Sequence, residues 1–137
     1  MPQTLDQRRA KHAWEAVKRA KGWGNSQHGK EYGGHAKKLP MRIRSAGLGQ
    51  ALAFLMAKAG KPKSKEYKKH IAQLHDDVTD WVLKHRGVKG KQPGSLLKSI
   101  IEGDSDFLRL ATDEAMAYLQ WLNRFGEAEG LKDDGSN

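Results

Sequence analysis

From Tyr67 onward the chain places Ile71, Leu74, Val78, Trp81 and His85 at steps of four, three, four, three and four. Residues three and four apart stack on one face of an α-helix, whereas a half-buried strand needs a step of two. A helix with such a seam requires other helices to cover it, so this stretch already points to a bundle. The rest of the sequence supplies the partners. Thr4, with Gln7 three residues on, reads as a capping box that opens a first helix. Leu5, Ala10, Ala13, Val17 and Ala20 form its apolar stripe, and Gly22 and Gly24 end it.

GWGNSQHGK reads as a loop, followed by a short helix from about Lys30 to Lys38. Pro40 fits the first turn of a next helix that runs to about Ala59. GKPKS is a turn whose Ser64 caps the helix carrying the seam, and RGVKGKQPG is a flexible basic linker. SLLKSII forms a short helix. A last helix runs from about Ser105 to Glu127, with Leu108, Ala111, Ala115, Tyr118, Leu119, Leu122 and Phe125 on its buried side. Val, Ile and Thr are too scattered for strands. The expectation is an all-α, single-domain helical bundle of about five to six helices over residues 1–130, with a disordered acidic tail at 131–137.

GLGQALAFLMAKAG, from Gly47 to Gly60, tests for a nucleotide loop. A dinucleotide fingerprint needs a preceding strand and a third Gly or Ala three positions after the second; Leu52 stands there instead. The phosphate-loop GKS or GKT is also absent. Read as helix, the stretch is apolar around much of its circumference, and its glycines are expected to permit close packing of a central helix.

The six histidines show no metal-ligand spacing. His70 and His75 are five apart, on different helix faces, and no HExxH occurs. His75 beside Asp76 and Asp77 has no nucleophile assigned to it. Neither a metal, nor a cofactor, nor a catalytic residue is expected. Trp14, Trp81 and Trp121 belong to the core or its margin. Trp23, in the GWGN loop, is placed either to stack on a base or to staple the bundle end.

Charge is divided unevenly along the chain. Residues 1–69 carry 17 Lys and Arg against 4 acids, a net +13; residues 70–137 carry 8 against 12, a net −4, which together give the overall +9. A basic half suits a polyanion. Arg42 and Arg44 lie near Lys37 and Lys38, and Lys61, Lys63, Lys65, Lys68 and Lys69 form the densest positive run. Flexible cations of this kind neutralise phosphates and release counterions. The chain has no cysteine, so disulfides and thiolate metal sites are excluded. MPQTLDQRRA has no apolar core of signal-peptide length, and no apolar run is long enough to cross a bilayer, so a cytoplasmic protein without membrane contact is expected.

Three blocks carry a family likeness: LDQRRAKHAWEAV, YGGHAKKLPMRIRSAGLGQALAFLMAKAG and ATDEAMAYLQWLNRFGEAEGL. In these the chain resembles the small helical subunit of type III-B CRISPR effector complexes, the Cmr complexes. The resemblance implies a non-catalytic subunit, stacked in several copies beside the backbone subunits and under the large polymerase-like subunit. It would help to line the groove where CRISPR RNA pairs with target RNA in antiviral defence. Arg8, Arg9, Lys37, Lys38, Arg42 and Arg44 fall in the matching blocks; the Lys61 to Lys69 run rests on charge alone. The alternatives are a stand-alone basic helical protein binding nucleic acid nonspecifically, and a nuclease using histidine or carboxylate chemistry.

Overall fold

Six α-helices and one π-helical turn make up the ordered architecture in the computed structural model, which describes residues 2–85 and 96–131. They are α1 (Leu5–Lys21), α2 (Ser26–Ala46), α3 (Leu48–Ala59), α4 (Lys69–Thr79) with the π-helical turn Asp80–His85 continuing it, α5 (Leu96–Glu102) and α6 (Ser105–Ala128). The protein is all-α. The expected capping box is formed: Thr4 Oγ1 accepts from Gln7 N at 3.0 Å, and Gln7 Oε1 accepts from Thr4 N at 2.8 Å. α6 opens on Asp104, whose carboxylate accepts from Phe107 N. α1 packs chiefly on α6, α3 on α4, and α2 touches all of α3, α4 and α6, so α2 is the central helix. Tyr32, Leu39, Leu52, Leu55, Leu74, Trp81, Tyr118 and Leu119 form the core, with Ile71 and Val78 of the seam. Tyr67 is half-buried.

The helix boundaries around α2 differ from the expectation. Asn25 caps α2 by accepting from Gln27 N at 2.9 Å, so the helix begins inside the expected loop. It then runs through Pro40 without breaking. Proline removes the donor that would bond the carbonyl four residues earlier. Here Asn123 Nδ2 of α6 donates to that carbonyl, Ala36 O, at 2.9 Å. The break comes instead at Gly47, with φ +91° and ψ 160°, a region essentially reserved for glycine. A Cβ on Gly47 would meet nothing within 4 Å, so this glycine serves backbone conformation, not the close packing expected of it. At Gly49 a Cβ would make only ordinary contacts of 3.6 and 3.7 Å to Ile100 and Leu97.

Close approach occurs at other glycines. A Cβ on Gly33 would overlap the Leu131 carbonyl, and one on Gly29 would lie 3.1 Å from both Ala20 O and Leu131 Cδ2. Leu131 therefore does not belong to a disordered tail. Gly130, at φ +75°, turns the chain so that Leu131 N donates to Gly126 O and Gly130 N to Glu127 O, a Schellman cap that seats Leu131 on α2. Residues 132–137 of the expected tail and the linker at 86–94 lie outside the described residues. Two smaller corrections concern polarity. Ser64 Oγ accepts from Glu66 N within the 61–67 turn and does not cap α4, which starts at Lys69 without a side-chain cap. Leu108 is 38% exposed, outside the buried side of α6.

Candidate nucleic-acid interface

A cation can bind a phosphate only if the fold leaves its charge outside, so the basic residues divide by what they touch. Arg9 points inward. Its Nε and Nη2 bond both oxygens of Glu114 at 2.6 and 3.0 Å, and Nη1 reaches Asp6 at 2.6 Å. The Glu114 bond, with help from Asp6, holds the guanidinium charged against the cost of burial. Glu114 also accepts from Trp81 Nε1 at 2.9 Å. Arg9, expected at the RNA, is thus a tie between α1 and α6. Arg19 is engaged similarly: it reaches Asp77, which also accepts from Tyr32 Oη at 2.6 Å and Gln73 Nε2 at 2.9 Å. Burial raises the Tyr32 hydroxyl above its ordinary pKa, and the neighbouring Asp77 carboxylate raises it further. Arg8 is exposed on α1.

The four candidate cations of α2 go to two different flanks. Lys37 and Arg44, seven apart, face α6: Lys37 lines a small cavity with Asn123 and Glu127, and Arg44 a groove with Trp121, Arg124 and Glu127. Lys38 and Arg42 belong to a second face, on which His28, Glu31, His35, Lys38 and Arg42 follow at steps of three, four, three and four. That face meets α3 and the start of α4. Arg42 lies 4.0 Å from the centre of the Phe54 ring, a cation–π contact, and His35 stands 6.4 Å from the same ring. Burial, then the charges of Arg42, Lys38 and Lys58, push the His35 pKa down to about 4. Arg42 Nη1 and His35 Nδ1 are buried without a hydrogen-bond partner in the protein.

The folding back of α3 extends this flank. Twelve residues of helix after the Gly47 turn return Lys58 to the neighbourhood of His35. The 61–67 turn follows and closes where Lys68 N donates to Ala59 O at 2.7 Å. Lys61, Lys63, Lys65, Lys68 and Lys69 are all exposed. Between Glu31 and Asp76 the sequence holds ten Lys and Arg against a single acid, Glu66. α3 itself has no acid, whereas α6 brings Asp106, Asp113, Glu114 and Glu127 against Arg109 and Arg124. The α3 flank of α2 therefore carries a surplus of positive charge, with Glu31 on α2 and Glu66 in the turn as its acids.

At its α4 end the flank carries groups that the charge count does not mark. His70 Nε2 donates to Glu31 at 2.6 Å, and the His28 ring stacks on His70 with centroids 4.1 Å apart and planes 11° apart. Burial holds His70 below its usual pKa despite the carboxylate, so near neutral pH it is an uncharged imidazole. Trp23 packs edge-on to Tyr32 and His70, at 5.6 and 6.4 Å, and is half-buried at the bundle end. His75 bonds the adjacent Asp76, while Asp77 faces the core, so these three form no catalytic array. Among the described residues no group of three or more His, Cys, Asp or Glu could hold a metal ion. No helix among them is long and apolar enough to cross a membrane.

This helical scaffold with one basic flank has relatives. The model of the CRISPR-associated protein family Cas_Cmr5 matches residues 5–129. The chain belongs to the Cmr5 family. The CRISPR system Cmr subunit Cmr5 of Thermus thermophilus is 34% identical over 120 residues, spanning 87% of this chain and 90% of that protein. The crystal structure of a CRISPR-associated Cmr5 family protein from Thermus thermophilus matches with a TM-score of 0.66 at 30% identity, covering 93% of this chain and 97% of that one. The likeness seen in three sequence blocks thus extends over nearly the whole Cmr5 chain, and the small subunit of the type III-B Cmr complex is the family it indicates.

Proposed function

We propose that the chain is a non-catalytic RNA-binding scaffold subunit of a type III-B CRISPR effector. Its α3 flank would face the groove holding CRISPR RNA and target RNA. The observation that carries this reading is the surplus of cations on the α2–α3–α4 side: all but Lys37 and Arg44 of the ten Lys and Arg between Glu31 and Asp76, against Glu31 and Glu66. Contacts there are to phosphates and duplex shape, because base pairing with the guide supplies sequence recognition. The buried carboxylates Asp77 and Glu114 are bonded to Arg19, Tyr32, Arg9 and Trp81, an arrangement that serves the core rather than hydrolysis. The remaining surfaces, including the compensated α6 side, would meet the backbone subunits, the large polymerase-like subunit and further copies of the chain. The complex would work in the cytoplasm.

The test is recovery of the tagged chain from its own cells, followed by identification of what accompanies it. The expected result is a set of Cmr subunits together with CRISPR RNA. Recovery of the chain alone, or with bulk nucleic acid of every kind, would favour the stand-alone nonspecific binder. Metal-dependent RNA cleavage by the pure chain, lost in a His75→Ala variant that keeps its fold, would make it an enzyme instead.

A further inference from the structure

Beside the phosphate-binding surface lies a groove of about 560 Å³, within the range of clefts that hold small molecules (~300–1,000 Å³). Trp23, His28, Glu31, Tyr67, Lys68 and Lys69 line it. Its composition differs from the rest of the flank: the rings of Trp23, His28, Tyr67 and His70 share it with Lys68 and Lys69. The His28 imidazole has one face on His70, yet the residue is exposed. His70 is buried, and Glu31 fixes its ring through the 2.6 Å bond, so His28 rests on a rigid platform. Asn25 Nδ2 lies 3.4 Å from His28 Nε2 and borders the same ring. Lys68 and Lys69 stand at the lip, both exposed.

Charge alone would be met by lysines anywhere on the surface. A stack of flat rings bordered by two cations has a more specific use, since every nucleobase offers a π-face and every nucleotide a phosphate. We propose that this groove is a stacking subsite for one unpaired RNA base, which lies on His28 while its phosphate meets Lys68 and Lys69. The site rests on the RNA-binding reading above and adds to it a contact to a base. The contact is independent of base identity, because stacking reads no hydrogen-bonding edge.

The test compares a short fluorescent oligouridylate with an abasic ribose-phosphate chain of the same length, by anisotropy on the full chain. Wild type should prefer the base-bearing RNA by roughly tenfold, the usual scale of one lost stacking contact. His28→Ala should abolish that preference and His28→Phe should retain it. Lys68→Ala with Lys69→Ala should weaken both ligands alike. Equal binding of both ligands by wild type would overturn the stacking subsite and leave the phosphate-binding reading standing. An undiminished preference in a folded His28→Ala variant would also overturn it. Failure of wild type to bind either ligand would remove the RNA-binding reading, and the subsite with it.

Discussion

Lys37 and Lys38 are neighbours on one helix, yet they end in different electrostatic settings. Lys37 and Arg44 face α6, where Glu127 lines the cavities of both. Lys38 and Arg42 face α3, which has no acid and adds Lys58. The helix that packs against a cation, more than the cation itself, decides whether its charge is compensated. The α6 side also holds the bonds that fix the fold: Arg9 to Glu114, Asn123 to Ala36, and Leu131 against Gly33. α2 packs on both α3 and α6, and the two sides differ in the charge they leave at the surface.

If the α6 side is the structural one, damage there should unfold the protein. Glu114→Ala should have the largest effect, about 3 kcal/mol of lost stability, because Arg9 and Trp81 both lose a buried partner. Chemical denaturation would measure it. A loss below about 0.5 kcal/mol, the scale of an ordinary surface change, would show that the network carries little weight.

The Gly47 turn brings α3 back onto α2, and Gly47 and Gly49 carry opposite expectations. Gly47→Ala should cost about 2 kcal/mol, since its backbone lies in a region that only glycine occupies readily. Gly49→Ala should stabilise by about 0.5–1 kcal/mol, because alanine favours the helix and its methyl fits. Thermal unfolding of both variants gives the two signs directly. Asn123→Ala should cost about 1 kcal/mol by leaving Ala36 O without its donor. Combined with Pro40→Ala, which restores the backbone donor, that cost should shrink in a double-mutant cycle.

The burial and charge around His35 should show in the response to acid. His35 has a folded pKa of about 4 against an unfolded value of 6.5, so below pH 6.5 the unfolded chain takes up a proton that the folded one resists. Its effect on stability is absent above pH 6.5 and grows as pH falls towards 4. His70, lowered by burial, acts in the same direction. His35→Gln should flatten the stability profile over this window, measured by urea unfolding at several pH values. An unchanged profile would show that neither burial nor the charges of Arg42, Lys38 and Lys58 lower the His35 pKa.

Much of this was legible in the residues. The capping box of Thr4 and Gln7 required only local hydrogen bonding and formed as read; Ile71, Leu74, Val78 and Trp81 are buried as the seam demanded, although Tyr67 precedes α4 and Trp81 falls in the π-helical turn that follows it. Pro40 misled because its missing bond is compensated by Asn123, distant in sequence. Gly47 was misread for a related reason: helical periodicity continues across it, and only its φ shows the turn. Leu131 did carry a signal, a glycine followed by an apolar residue at a helix end, which is the Schellman pattern. At the candidate interface, composition located the basic half but could not divide Lys37 from Lys38. The polar rhythm of His28, Glu31, His35, Lys38 and Arg42 marks the face once α2 is known to be one continuous helix. Arg9 entered through the family likeness of its block, and only the fold brings Glu114 to it.

The claim that the α3 flank binds RNA and the α6 flank does not is tested most directly by salt dependence. Two triple variants carry equal charge loss: Lys38→Gln, Arg42→Gln and Lys58→Gln on one side, and Lys37→Gln, Arg44→Gln and Arg124→Gln on the other. RNA affinity would be measured at several salt concentrations, with circular dichroism confirming the fold. The account predicts that the α3-flank variant binds more weakly and that its log–log salt slope falls by about two units, roughly 0.7 per lost phosphate contact. The α6-flank variant should keep the wild-type slope. Equal slopes in the two variants, or a greater loss on the α6 side, would contradict the assignment of RNA binding to the α3 flank.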